Sequence, residues 1–201
     1  YNTWKESKQC IVSVFESNLD DDYRIYLVDN GSNVLPCEEI QVLLSHEKVE
    51  YVANKSNVGY ARGNNIGIEY ALNDGCDSIV VTNSDVVFCA NSVSIMRDYI
   101  HNNPETGIVG PRILNGKNIV QRSNMLIKTG LKQKYLFRTF LHRFLQSYNK
   151  EYRGSYSGTS PVLVHAVSGC CFMISRNCAS ALSPVFDENT FLYEEELILG
   201  I

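Results

Sequence analysis

Three short runs rich in β-branched and aromatic residues each stop on turn-forming residues, and this repeated boundary restricts the fold more than any other feature. The first is Arg24-Ile25-Tyr26-Leu27-Val28, closed by Asp29-Asn30-Gly31-Ser32. The second covers residues 49–53 and enters the loop 54–59; the third is Ser78-Ile79-Val80-Val81-Thr82, closed by Asn83-Ser84-Asp85. Between them, the helical pattern of residues 40–44 and the stronger one of 60–72, ended by Asn73-Asp74-Gly75, supply the crossovers. Strand, helix and strand in succession predict an α/β sandwich with a mostly parallel central sheet and flanking helices. Such sheets hold ligands in the loops beyond the carboxyl ends of their strands, so Asp29, loop 54–59 and residues 83–85 are expected along one edge.

The remaining elements follow from the same signals. Trp4, Ile11, Phe15 and Leu19 recur near helical spacing until Asp20-Asp21-Asp22 interrupts them. Asn91 is placed to cap a helix over 92–101, residues 107–110 read as a strand, and Asn115-Gly116 marks a hairpin between 112–114 and 118–120. Residues 162–167 and 171–174 return to strand character around Ser168-Gly169. The segment 121–158 breaks the rhythm: it is rich in Lys, Arg, Tyr and Phe, and Glu151 is its only acid. It reads as a basic aromatic insertion within a single domain spanning 1–201. Within it, 128–153 sets Tyr135, Phe137, Phe140 and Phe144 among Lys132, Lys134, Arg138 and Arg143, a pattern that fits an ordinary surface helix or a peripheral contact with an anionic membrane.

Composition narrows the function classes. With 201 residues and 44% apolar content the chain is long enough to bury one full core. Eighteen basic against 22 acidic residues, a net charge of -4, argue against a nucleic-acid partner. No run reaches the roughly 18 apolar residues of a membrane-spanning helix, and no signal-peptide pattern is present, so the chain reads as soluble. Seven cysteines without a Cys-x-x-Cys pair read as reduced thiols of a cytoplasmic protein, with the inner membrane face as the place of any surface contact.

Each candidate site residue has two readings. Asn83 and Asp85 emerge one residue apart at a strand end, which suits a hard cation holding phosphate oxygens, or simply a turn. Asp29 can accept donors from a nucleoside or from its own backbone. Asn57-Val58-Gly59-Tyr60-Ala61-Arg62-Gly63-Asn64-Asn65 combines a glycine-assisted helix start with an Arg, a pattern for a diphosphate or for a solvated helix entry. The acids Glu194, Glu195 and Glu196 form a solvated face, or a cluster whose mutual repulsion raises proton affinity as a general base requires.

In this order the motifs resemble those of family 2 glycosyltransferases, of the rhamnosyltransferase-like type that builds bacterial surface polysaccharide. The resemblance covers residues 1–120 and 162–201. It implies the GT-A fold, the nucleotide-diphospho-sugar transferase sandwich, and a nucleoside-diphosphate-sugar donor with a glycan or lipid-linked acceptor. On this match Asp29 addresses the base, and Asn57, Gly59, Arg62 and Asn64 form a second nucleotide-binding turn. Asn83, Ser84 and Asp85 stand where the family carries its Asp-x-Asp metal motif, with Asp85 and Asn83 as ligands for Mg2+ or Mn2+. Residues 167–172, including Gly169, match the strand lining the sugar pocket, and Tyr1 and Asn2 join the nucleotide-sugar set. Glu195 and Glu196 match the catalytic pair, Glu196 as base, or Glu195 if the register slips by one. The family normally has a strand before Tyr1-Asn2 and more helix after Gly200, so a fragment lacking its first strand and its C-terminal part is expected.

The implied reaction is an inverting sugar transfer in glycan synthesis. A nucleotidyltransferase would need a basic glycine-rich loop after its first strand, and a P-loop enzyme a Gly-x-x-x-x-Gly-Lys motif; neither is present. A non-catalytic nucleotide-binding or assembly domain of the same fold stays open at this point.

Overall fold

A computed structural model describes residues 1–19, 22–121, 124 and 160–189. In chain order these form α1 (Trp4–Phe15), β1 (Ile25–Asp29), α2 (Glu38–Leu44), β2 (Val49–Ala53) and α3 (Tyr60–Asn73). There follow β3 (Ser78–Thr82), α4 (Ser92–Asn102), β4 (Ile108–Val109), β5 (Cys171–Ser175) and a last helix, here α5 (Arg176–Leu182). The alternation of strands and helices through β3 is the one read from turn chemistry and periodicity.

Strand pairing divides the sheet. β1 and β2 run parallel, with Ile25 opposite Val49 and Asp29 opposite Ala53. β3 does not extend this ladder; it pairs antiparallel with β5, Thr82 opposite Cys171, and β4 takes the other edge of β5. Helix α3 packs on both β1 and β3 and so ties the two ladders together. The expected parallel succession therefore holds for the first two strands, and the third belongs to a mixed arrangement. The reason lies in β5, which is apolar on both faces. Phe172 and Ile174 join Ile79, Val81, Ile68 and Phe186 in one core, while Met173 meets Met96 and Ile100 on the other side. A strand buried on both faces takes a central place, and β3 flanks it.

The same geometry corrects the expectation for 162–167. Residues 161–164 are irregular and Leu163 is 96% exposed, because β5, the strand they precede, already has a neighbour on each edge. The hairpin at Asn115-Gly116 forms as a single bridge between Leu114 and Val120, with Asn118 at φ 57° and the Asn115 side chain accepting from the Lys117 and Ile119 amides. Asn91 does occupy the N-cap position of α4, but its side chain does not cap; it accepts from Asn18 Nδ2 at 3.2 Å. In α1, Trp4 and Phe15 are half-buried, and the buried face sets Ile11 beside small residues: Ser7, Cys10, Ser13 and, beyond the helix end, Ser17. No helix among the described residues is long and apolar enough to cross a membrane.

Asn65 fastens the chain after α5 to the core. Its Nδ2 donates to the Phe186 carbonyl and its Oδ1 accepts from the Phe186 amide, both at 2.9 Å in a buried setting. A buried side-chain amide imitating a strand partner leaves two backbone groups unpaired when removed. Asn65→Ala should lower stability by about 2 kcal/mol. The check is a urea unfolding curve, whose midpoint falls while its slope is unchanged.

Candidate functional site

The turn after β1 is built by Asp29. Its Oδ1 accepts from the Ser32 amide at 3.0 Å and the Ser32 hydroxyl at 2.5 Å, and its Oδ2 accepts from the Tyr51 hydroxyl on β2 at 2.9 Å. Asn2 is attached to the same turn: its amide donates to Ser32 Oγ at 2.7 Å, and its Oδ1 accepts from the Asn33 and Val34 amides. Tyr1 precedes it, 52% exposed. The carboxylate thus performs the backbone-ordering role that an Asp in a turn commonly has, with a tyrosine hydroxyl added from the neighbouring strand.

The second turn is locked onto the first. Asn30 Nδ2 donates to Asn57 Oδ1 at 3.0 Å and to the Gly59 carbonyl at 2.9 Å, while its Oδ1 accepts from the Val58 amide at 3.0 Å and Asn54 Nδ2 at 3.3 Å. Gly31, at φ 76°, lies so close that an added Cβ would fall 2.4 Å from the Ser56 carbonyl carbon. Gly59, at φ 89°, opens α3, and its amide donates to Asn57 Oδ1 at 3.0 Å. Asn64 does not reach this cluster; its Nδ2 donates to the Tyr60 carbonyl inside the helix. Arg62 is exposed, with its Nε 3.7 Å from Glu188 Oε2.

The turn after β3 is held from below by α1. Ser84 Oγ donates to Thr3 Oγ1 at 3.0 Å, the Cys10 thiol donates to the Asn83 carbonyl at 3.9 Å, and the Phe88 amide donates to Ser13 Oγ at 3.0 Å. The Asn83 amide in turn donates to the Cys170 carbonyl at 2.9 Å, and the Tyr60 hydroxyl donates to the Gly169 carbonyl at 2.5 Å. Hydrogen bonds, with the adjoining backbone between their partners, therefore connect Asn2, Asp29, Asn57, Gly59, Asn83, Ser84 and Gly169 into one edge of the domain.

Among the described residues, the Asp85 carboxylate and the Asn83 side-chain amide have no hydrogen-bond partner. Asp85 is exposed at this edge, close enough to Cys10 for its charge to be felt there. Burial first, and then that charge, push the Cys10 thiol up to about 11; burial pushes the Cys171 thiol up to about 12. No three His, Cys, Asp or Glu side chains among the described residues form a metal cage. A carboxylate and an amide two residues apart, neither bonded among the described residues, are oxygen donors of the type a magnesium-like ion takes together with water and substrate phosphates.

Thr3, Cys10, Ser13 and Tyr51 lie outside the motifs, and Asn30 and Tyr60 stand inside two of them without an assigned role. The spacing of Ser7, Cys10, Ser13 and Ser17 is itself a helical signal, a small polar stripe along which a loop can approach a helix closely. Two clefts among the described residues have linings that include none of these turn residues. One of about 600 Å³ is lined by Lys5, Lys8, Gln9, Cys37, Glu38 and Glu39, between α1 and the start of α2. Another of about 290 Å³ lies between α3 and residues 183–188. Glu195 and Glu196 lie outside the described residues, as does the 121–158 insertion with its 128–153 stretch, apart from Gln121 and Asn124.

Comparison with known sequences decides the family: the model of glycosyl transferase family 2 matches residues 1–182. The chain belongs to glycosyl transferase family 2. Among curated proteins, this family 2 chain is 30% identical over 173 residues to the low-salt glycan biosynthesis hexosyltransferase Agl10 of Haloferax volcanii, covering 85% of this chain and 50% of that protein. Among solved structures it is similar to S. aureus TarS 1-349, with a TM-score of 0.64 at 11% identity over 99% of this chain and 51% of that one. The chain spans about half the length of each. The latter likeness bears out the glycosyltransferase sandwich implied by the motifs, as a fold.

Two outcomes test the site geometry. Gly31→Ala combines an unfavourable positive φ with a backbone collision and should cost about 2 kcal/mol or more. Thermal unfolding should register the loss, and hydrogen exchange should speed up at the Val58 amide. At pH 8, a thiol reagent should modify exposed Cys37 and Cys89 well before Cys10 and Cys171, whose protonated forms persist until the pH approaches about 11 and 12. Mass spectrometry of the labelled peptides checks the order.

Proposed function

We propose that the chain carries the donor-binding part of an inverting glycosyltransferase, moving a hexosyl or deoxyhexosyl unit from a nucleoside-diphosphate-sugar to an acceptor hydroxyl in glycan synthesis. The carrying observation is the hydrogen-bonded edge on which, among the described residues, the Asp85 carboxylate and Asn83 side-chain amide have no hydrogen-bond partner. Family membership and the hexosyltransferase relative support the chemistry. No comparison favours a nucleotidyltransferase.

In this reading Asp29 and the turn around it take the base, with Tyr1 and Asn2 beside them. Asn57, Gly59 and the α3 amino end, with Arg62, take the diphosphate, where backbone amides and a guanidinium favour negative charge. Asn64 supports that helix start. Asp85, assisted by Asn83, would hold Mg2+ or Mn2+. The ion supplies charge stabilisation for the departing diphosphate when bound. Ser84 keeps the loop on α1, and Gly169 borders the sugar. Glu196, or Glu195 in the alternative register, removes the acceptor proton, a step that typically contributes roughly 100- to 10,000-fold in rate. The acceptor is a glycan or a lipid-linked glycan, and residues 128–153 are the segment through which a membrane at the cytoplasmic face would be met.

Thermal-shift measurements with nucleoside diphosphates, with and without Mn2+, test the site. A manganese-dependent rise in melting temperature is expected for at least one diphosphate, and Asp85→Ala should remove that dependence. Glu196→Gln should abolish sugar transfer while nucleotide binding persists. Normal turnover by that variant would sink the base assignment, and a shift independent of metal in the wild type would sink the role of Asp85.

A further inference from the structure

The turn that borders the sugar in the proposed function, on which this inference rests, is tied on two sides by successive carbonyls. The Gly169 carbonyl accepts from the Tyr60 hydroxyl at 2.5 Å, and the Cys170 carbonyl accepts from the Asn83 amide at 2.9 Å. Tyr60 is the first residue of α3, directly after Gly59, whereas Asn83 opens the loop that carries Asp85. Residues 168–170 therefore bridge the helix start that takes the diphosphate in that reading and the loop that takes the metal. A third bond, from the Ser168 amide to Asn124 Oδ1 at 2.9 Å, holds the entry of the turn.

The Tyr60 ring is fixed independently of its hydroxyl. It meets Phe186 edge to face with 5.6 Å between centroids; Phe186 is fully buried, packed on Phe172 and held at its backbone by Asn65. An edge-on aromatic contact defines where a ring lies, and a partly buried phenol needs a partner for its hydroxyl. A ring set on the core, with its hydroxyl on a carbonyl 109 residues away, transmits the position of the α3 start to Gly169.

Gly169 spends its carbonyl in this way, while its amide has no hydrogen-bond partner among the described residues. A backbone amide is a donor suited to the oxygen of a sugar hydroxyl. We propose that Tyr60 is a positioning residue: its hydroxyl holds the Gly169 turn at a fixed offset from α3, so that the donor sugar meets the Gly169 amide while its diphosphate rests on the helix start. The nucleotide-binding turns do not depend on this bond. Asn30 joins the first two, and Thr3, Cys10 and Ser13 hold the third. The effect of Tyr60 therefore falls on the sugar and not on the nucleotide.

Isothermal titration of the full chain in the presence of Mn2+ provides the test, on the wild type and on Tyr60→Phe, which keeps the ring and removes the hydroxyl. The ligands are UDP, dTDP and GDP and the corresponding sugar nucleotides UDP-glucose, dTDP-rhamnose and GDP-mannose. In Tyr60→Phe the affinity for the tightest-binding sugar nucleotide should fall about fivefold, the factor one lost hydrogen bond typically carries, while the affinity for its own nucleoside diphosphate changes less than about twofold. A tyrosine that only stabilised the fold would weaken both ligands alike, so equal weakening overturns the inference. Unchanged affinity for both overturns it as well, with the nucleotide site itself standing. If the wild type binds none of the six, the nucleotide reading fails and carries this inference down with it.

Discussion

The side-chain amide of Asn30 is the joint on which the strand-end loops depend. It uses its full capacity, donating to Asn57 and to the Gly59 carbonyl and accepting from the Val58 amide and Asn54. Because Gly31 has no Cβ, the two turns meet backbone to backbone at Ser56. A turn held this way is ordered before a ligand arrives, and ordering in advance reduces the entropy lost on binding. The helix start at Gly59 takes its position from the same amide.

The turn after β3 is fixed by different means. Small polar residues on α1 let the loop backbone come close, and Thr3, Cys10 and Ser13 each meet one of its polar groups. Each neutral bond contributes about 1 kcal/mol net, so the effect is collective. Its result is that Asp85 stands at the edge with its carboxylate committed to nothing among the described residues, while every atom needed to hold the loop comes from its neighbours. Asp29 shows the opposite allocation: three donors already converge on its carboxylate and spend it on ordering the turn.

How much was legible differs from element to element for physical reasons. β1, β2, β3 and α3 could be read because apolar periodicity and turn chemistry are local properties, carried by a few adjacent residues. The central position of β5 was not legible, since its apolar run says that both faces are buried without saying by which strands. Residues 162–167 looked equally strand-like and form no strand over 162–165, because no edge of β5 was left for them. Asn91 occupies the cap position its type suggests, yet Asn18 competes for its side chain. The motifs pointed to Asp29, Asn57, Gly59, Asn83 and Asp85 as candidates and gave no role to Asn30, Tyr51 or Thr3, whose hydrogen bonds go to partners far away in the chain.

Sequence alone was enough for the family, the order of strands and helices through β3, and the residue types waiting at each strand end. Only the tertiary structure decided that β3 flanks β5 in an antiparallel ladder, that Asn64 turns back into its own helix, and that among the described residues Asp29 receives three donors while the Asp85 carboxylate receives none. The division follows from range: propensity and turn geometry act over a few residues, whereas the saturation of a polar side chain depends on which distant atoms the fold brings within 3 Å of it.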